Sequence, residues 1–231
     1  MYNLELSQAI NDWQAIGIGK NKTSIAEKII EHSNDLPPKF KTLHSKCYRH
    51  LALSGRNSVL LGANMQLPET YSSWTIDRSV AQQFNGGIPS IGRQGIIFEI
   101  DNNAPDFEVI INLHELFKDE DFLLVCNQRK NEITSFETGI GYFMNNEAEV
   151  ILKIKRITTD QIWSYGGYSS SREQLAERFL GRKPTDTEFV YIDSLIKQLN
   201  INLGGRWVTG EAKDRIVRLH IETAQRLTKR E

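Results

Sequence analysis

At 231 residues with a formal net charge of −1, the chain is long enough to bury a core of its own and lacks the basic excess of a dedicated nucleic-acid binder, although a local basic patch stays open. Hydrophobic residues make up 39% and charged residues 25%, and no apolar run approaches the ~20 residues of a membrane span, so a helical membrane protein is excluded. The two cysteines, Cys47 and Cys126, have no metal-ligand neighbour at a recognised spacing and read as reduced thiols of a cytosolic protein.

The first forty residues read as helical. The stretch 1–20 carries Glu5 and Asp12 and has no continuous apolar run, so no secretory leader is expected there. Leu6, Ile10 and Trp13 share one face of a first helix. Ser24 and Glu27 have capping-box spacing for a second, whose apolar side is Ile25, Ile29 and Ile30 and which Asn34-Asp35 and Pro37-Pro38 end. From about Lys41 to Trp163 the pattern turns to short apolar runs between turn residues. Strands are expected at Gly95–Asp101, Val109–Ile111, Phe122–Val125 and Glu147–Ile154. One helix interrupts them, capped by Asp77, with Val80, Ala81 and Phe84 on its apolar face and Gly86-Gly87 as its stop.

Gly166-Gly167 and Ser169-Ser170-Ser171 then form a turn-rich junction, and beyond it the period is helical. Ser171 and Gln174 make a capping box for a helix with Leu175 and Phe179 on one face and Gly181 after its end. Phe189, Ile192, Leu195, Ile196 and Leu199 form an amphipathic stripe, more often core than interface, and Thr209 caps a final helix towards Lys229. Helices, a strand-rich middle and helices again predict an α+β fold, with a first domain over 1–163 and a helical extension over 164–231.

Three segments carry chemistry: Cys47-Tyr48-Arg49-His50, Tyr71-Ser72-Ser73-Trp74-Thr75-Ile76-Asp77, and Glu147-Ala148-Glu149. On a strand, residues two apart lie on one face, roughly 6.5–7 Å from each other, so the two glutamates are expected side by side. A solvated strand end explains such a pair as well as a site does. Paired carboxylates also suit glycosidic chemistry: one stabilises an oxocarbenium-like transition state, the other orients or deprotonates the nucleophile. A glycoside hydrolase and an NAD⁺ glycosyl transferase satisfy that logic equally. An arginine in a strand pattern offers a planar fork of donors that matches phosphate, although an exposed strand arginine is the commoner case. Ser73 and Thr75 share a strand face, where hydroxyls can fix a carboxylate or a ribose, or serve simply as helix caps.

Taken in this order, Arg49 after Tyr48, Ser73-Trp74-Thr75 opening a strand-to-helix unit, and Glu147-x-Glu149 on a later strand resemble the arginine–serine–glutamate class of mono-ADP-ribosyltransferases. This is the clostridial-toxin-like branch, which includes arginine-specific vertebrate and phage enzymes. The resemblance runs from about Leu43 to Lys155 and is most specific over Ser72–Phe84. It departs from the family where Trp74 fills the middle of a motif that usually reads Ser-Thr-Ser, and where His50 stands at an often small position. The His-Tyr-Glu class is excluded: His44 and His50 flank Arg49 but no matching tyrosine motif follows, and Tyr71 reads as a core or nicotinamide-side aromatic.

The resemblance implies an ADP-ribosyltransferase-like split β-sandwich core. It also implies NAD⁺ as a consumed substrate, no metal, and a macromolecular target. By the same likeness Arg49 holds the NAD⁺ phosphates, Ser73 supports the catalytic glutamate with help from Thr75, and Tyr48 and Phe84 complete the NAD⁺-binding set. Glu149 takes the 2′-hydroxyl of the nicotinamide ribose and stabilises the oxocarbenium, and Glu147 positions the acceptor. The loop Thr134–Met144 faces the target, and Phe136, Tyr142 and Phe143 in it are candidate contact residues, with core packing an equal reading for each. The first glutamate of the pair favours a protein arginine as acceptor, with water giving plain NAD⁺ hydrolysis. An enzyme that modifies RNA or DNA, as in toxin–antitoxin or phage-defence systems, is the alternative. It draws on seven Lys/Arg between Arg206 and Arg230, set against Glu211, Asp214 and Glu222, although a solvated helix face accounts for those charges as well. A catalytically silent binding module is the third reading. A neutralising partner would dock on the C-terminal helices, and the expected location is the cytoplasm.

Overall fold

Asparagine side chains start the first two helices. The computed structural model describes residues 2–15, 21–54, 67, 69–89, 93–104, 106–144, 146–154, 156–168, 171–199, 201 and 203–228. In α1 (Leu4–Gln14) the Asn3 carbonyl oxygen accepts the Leu6 amide at 2.8 Å, and in α2 (Lys22–His32) Asn21 accepts the Ser24 amide at 3.3 Å. The second cap is therefore Asn21 and not Ser24, because an asparagine side chain caps as well as serine and sits one turn earlier. The apolar faces form as expected: Leu6, Ile10 and Trp13 of α1 and Ile29 of α2 are buried.

Next come β1 (Cys47–Ser54), β2 (Tyr71–Thr75) and α3 (Arg78–Gln83). Asp77 caps α3 by accepting the Ser79 amide at 2.7 Å. Of its predicted apolar face only Ala81 is buried, and Phe84 lies past the helix end and is 47% exposed. Then follow β3 (Arg93–Ile100), β4 (Phe107–Asn112), the single turn α4 (Leu113–Leu116) and α5 (Glu120–Arg129). The expected strand Phe122–Val125 is thus a helix: Asp119 accepts the Phe122 amide at 3.3 Å and starts it, and only Phe122 and Cys126, four apart, are buried. After the short α6 (Ile140–Phe143) come β5 (Glu149–Ile154) and β6 (Ile162–Tyr168).

The remaining elements are α7 (Arg172–Leu180), α8 (Asp186–Gln198), β7 (Gly205–Val208) and α9 (Gly210–Thr228). The Ser171–Gln174 capping box forms as read. The region after Trp163 is not purely helical: Gly166 and Gly167, expected in a flexible junction, lie in β6 and pair with Trp207 and Arg206 of β7. Gly166 is there for packing, because a Cβ on it would meet the Trp207 ring at 2.5–2.9 Å. Ser169 and Ser170 of that junction, and Lys229 and Arg230 of the basic tail, lie outside the described residues.

The chain is α+β. Among the described residues seven strands follow the order β4-β5-β2-β1-β3-β6-β7, and the pairings β1–β2, β2–β5, β4–β5 and β6–β7 are antiparallel. No helix among the described residues is long and apolar enough to cross a membrane. Two compact units divide the chain. The first is Met1–Arg49, Ala63–Ala81 and Phe98–Gln161; the second is His50–Gly62, Gln82–Ile97 and Ile162–Glu231. In the first, α1, α2, α4 and α5 pack around Leu6, Ile10, Ile29, Phe122 and the β4 and β5 residues Ile111 and Ile151. In the second, Trp207 is the hub: its indole N–H donates to the Gln82 carbonyl at 3.2 Å and its ring meets the His50 ring edge-on at 5.1 Å.

Candidate functional site

The register of the first unit's strands brings the motifs together. Thr75 of β2 lies opposite Tyr48 of β1 on one side and Glu149 of β5 on the other, and Ser73 lies opposite Ile151. Because side chains alternate along strands, Ser73, Thr75 and Glu149 share one face of the sheet. Ser72 and Trp74 take the opposite face. There the Trp74 ring is 2% exposed and its indole N–H donates to the Ser72 hydroxyl at 3.0 Å. Trp74 is a core residue, on the face away from the Ser73 and Thr75 hydroxyls.

Glu149 is buried, at 5% exposure, and both its oxygens are occupied. The indole N–H of Trp13 donates to Oε1 at 2.8 Å and the Gln14 side-chain amide donates to Oε2 at 3.2 Å. The same indole N–H is shared with the Ser73 hydroxyl oxygen at 3.1 Å. Arg49, with 12% of its side chain exposed, donates through Nη1 to the Ser73 carbonyl at 3.0 Å and through Nη2 to the Glu69 carboxylate at 2.6 Å. Its Nε is buried without a partner among the described residues. Burial disfavours the guanidinium charge, and the carboxylates of Glu69 and Glu149 work against that loss. Lys22 completes a chain of contacts, 3.5 Å from Glu69 and 5.6 Å above the Trp13 ring.

Glu147 does not sit on the strand, contrary to the expected side-by-side pair. Ala148 has φ +45° and breaks the extended run, so β5 begins at Glu149. The backbone on either side still joins the end of β2: Thr75 Oγ1 donates to the Glu147 carbonyl at 2.6 Å, and the Ile76 amide donates to the Ala148 carbonyl at 3.0 Å. Glu147 is half-buried, and its carboxyl is pushed up to about 7, first by desolvation and second by the Glu149 charge. The two glutamates are thus chemically unlike: one is held by donors, the other exchanges its proton near neutral pH.

No family model, curated protein or solved structure matches the chain. The site rests on its own geometry.

Of the other expected site residues, Tyr48 is half-buried in β1, and burial together with Glu99 raises its hydroxyl above the ordinary range. Phe84 belongs to the second unit, where its carbonyl lies 3.2 Å from His50 Nδ1. The loop Thr134–Met144 is pinned to α1. Asn11 donates to the Thr134 carbonyl at 2.8 Å and accepts the Ile140 amide at 2.9 Å, and Gln8 accepts the Thr134 amide at 2.8 Å. Gly139 permits this approach, since any Cβ there would collide with Asn11. Tyr142 stands out at 63% exposure, whereas Phe136 packs against the core. An open pocket of about 380 Å³ is lined by Ser135, Phe136, Glu137 and Thr138 of this loop with Lys130 and Ile133. None of Arg49, Ser73 or Glu149 lines it.

Trp13, Gln14, Glu69 and Lys22 were not legible as site residues. Trp13 shows in the sequence only as one apolar position of a helical face, and its second role depends on contacts with residues 60 and 136 positions away. Nothing around Glu69 marks it before the fold brings it to Arg49. Among the described residues no group of three or more His, Cys, Asp or Glu is placed to hold a metal ion.

Proposed function

We propose that the chain is a mono-ADP-ribosyltransferase that cleaves NAD⁺ and transfers ADP-ribose to a macromolecule, a protein arginine foremost. The observation that supports this most is the convergence of Ser73, Thr75 and Glu149 on one sheet face, with Arg49 hydrogen-bonded to the backbone of Ser73. On this reading the core is an ADP-ribosyltransferase-like split β-sandwich. The catalytic domain is residues 1–163, and 164–231 serve recognition or control, including docking of a neutralising partner. The enzyme acts in the cytoplasm.

The NAD⁺ diphosphate takes the place of the Glu69 carboxylate on the Arg49 fork, exchanging one anion for another while Lys22 keeps hold of Glu69. The Glu149 carboxylate accepts the ribose 2′-hydroxyl and stabilises the positive charge that grows on C1′ as the bond to the nicotinamide nitrogen breaks. The nicotinamide leaves with the bonding electrons. The acceptor nitrogen attacks C1′ and gives its proton to Glu147, whose raised carboxyl pKa suits a general base working near neutral pH. Water in place of the acceptor gives hydrolysis. A nucleic-acid acceptor is the second reading, favoured by Arg215, Arg218 and Arg226, all exposed on α9.

Labelled NAD⁺ incubated with the protein and separate pools of protein, RNA and DNA identifies the acceptor class. Glu149→Gln should fold normally and lose both transfer and NAD⁺ hydrolysis, by on the order of 10²–10³ in rate. A purified Glu149→Gln protein turning over at the wild-type rate rejects the assignment.

A further inference from the structure

A carboxylate on a flexible side chain stabilises a developing charge only if it is already in place when the charge forms. In this chain the parts that hold Glu149 come from α1, outside the three motifs that compose the site. An indole N–H donates and cannot accept, so its bond to Glu149 Oε1 at 2.8 Å defines that oxygen as an acceptor. The same N–H reaches the Ser73 hydroxyl oxygen at 3.1 Å and so fixes the serine and the glutamate relative to each other through one proton. Gln14 holds the second oxygen at 3.2 Å, and the two donors together fix the plane of the carboxylate. Each carboxylate oxygen has two acceptor sites, so one donor on each leaves a site for a substrate hydroxyl.

The holding group is itself rigid. The Trp13 ring is 3% exposed, and Lys22 lies over it. Asn11, two residues earlier on α1, is tied to Thr134 and Ile140. We infer that Trp13 and Gln14 are positioning residues, which orient the Glu149 carboxylate towards the reacting ribose without touching it. This inference rests on the transferase reading.

The test is steady-state nicotinamide release by the full chain, with kcat and KM for NAD⁺ measured separately. It compares wild type, Trp13→Phe and Gln14→Met, each checked by thermal melting. Both substitutions remove a donor and keep an apolar body of similar shape. A positioning role lowers kcat by about 10- to 100-fold in Trp13→Phe, less in Gln14→Met, and leaves KM within about twofold, because ground-state binding is not what is lost. If Trp13→Phe fails to fold, Gln14→Met at the helix end carries the comparison. Unchanged kcat in the folded variants, faster turnover in either, or a rise in KM alone overturns the inference while the transferase reading stands. A wild-type protein that neither binds NAD⁺ in calorimetry nor releases nicotinamide overturns the transferase reading itself, and with it this one.

Discussion

Glu147 is the residue whose protonation should be visible from outside. On the proposed mechanism it serves the acceptor and Glu149 serves the donor, so Glu147→Ala should lose transfer to the target yet keep measurable NAD⁺ hydrolysis. Equal loss of nicotinamide release in Glu147→Ala and Glu149→Gln would remove that division. In the wild type, transfer should fall as pH drops through about 7 and Glu147 takes up its proton, while hydrolysis keeps no such limb. The same shift has a stability consequence of definite sign. The folded carboxyl binds its proton more tightly than the unfolded one, so the fold loses stability as pH rises from the usual glutamate range to about 7. Glu147→Gln should therefore melt higher than wild type at pH 8, with the gap closing below pH 5. The side chain is only half-buried, so solvent screening limits the effect to about 1 kcal/mol, or roughly 2–4 °C. Arg49 offers a second test at this scale. Its fork serves the Ser73 carbonyl and an anion at once, which a lysine ammonium on a flexible stem cannot reproduce. Calorimetric titration of Arg49→Lys with NAD⁺ should show affinity weakened by about tenfold or more, ~1.4 kcal/mol, and unchanged affinity would move Arg49 out of the site.

Among the elements, α1 does two jobs: one side fills the core with Leu6 and Ile10, and the other pins the loop that leads to the glutamates. Asn11→Ala leaves the Ile140 amide buried and unpaired. The expected cost is about 2–3 kcal/mol, a fall in melting temperature of roughly 5–10 °C in a thermal scan, and a shift under a degree would show that the clamp carries no weight. Nothing in the sequence marked that second side, since the partners of Gln8 and Asn11, Thr134 and Ile140, lie 126 and 129 positions away. What local chemistry determines was readable: the Ser171–Gln174 box, the Asp77 cap, and the strands around Gly95–Asp101 and Val109–Ile111. Phe122–Val125 was misread because four apolar residues in a row carry no period, and only the Asp119 cap ahead of them shows the helix. The pairing of Glu147 with Glu149 was misread for a different reason. Alternation along a strand holds only while the backbone stays extended, and Ala148 leaves that region. Of the site itself, the motif residues were legible as types, whereas Trp13, Gln14 and Glu69 depend wholly on tertiary contact.

At the scale of the whole molecule, Arg49, Ser73, Thr75, Glu147, Glu149, Trp13, Gln14 and Glu69 all fall in the first compact unit. A chain ending at Ser164 keeps every one of them and should still release nicotinamide from NAD⁺ while losing target modification. It also loses the β6–β7 pairing, the Ser164–Val208 hydrogen bond and Trp207, so its melting temperature should drop. An insoluble or inert product of that truncation would mean the catalytic machinery needs residues 165–231. The two free cysteines add something practical to this division. Cys47 and Cys126 are both buried in the first unit, and burial raises both thiols and keeps them unreactive while the fold is closed. Trp163 and Trp207 belong to the second. A thiol reagent added under native conditions therefore times the opening of that unit alone, whereas indole emission draws on Trp13 and Trp74 in the first unit and Trp163 and Trp207 in the second, so comparing the two signals separates opening of one unit from unfolding of the whole without any label being introduced.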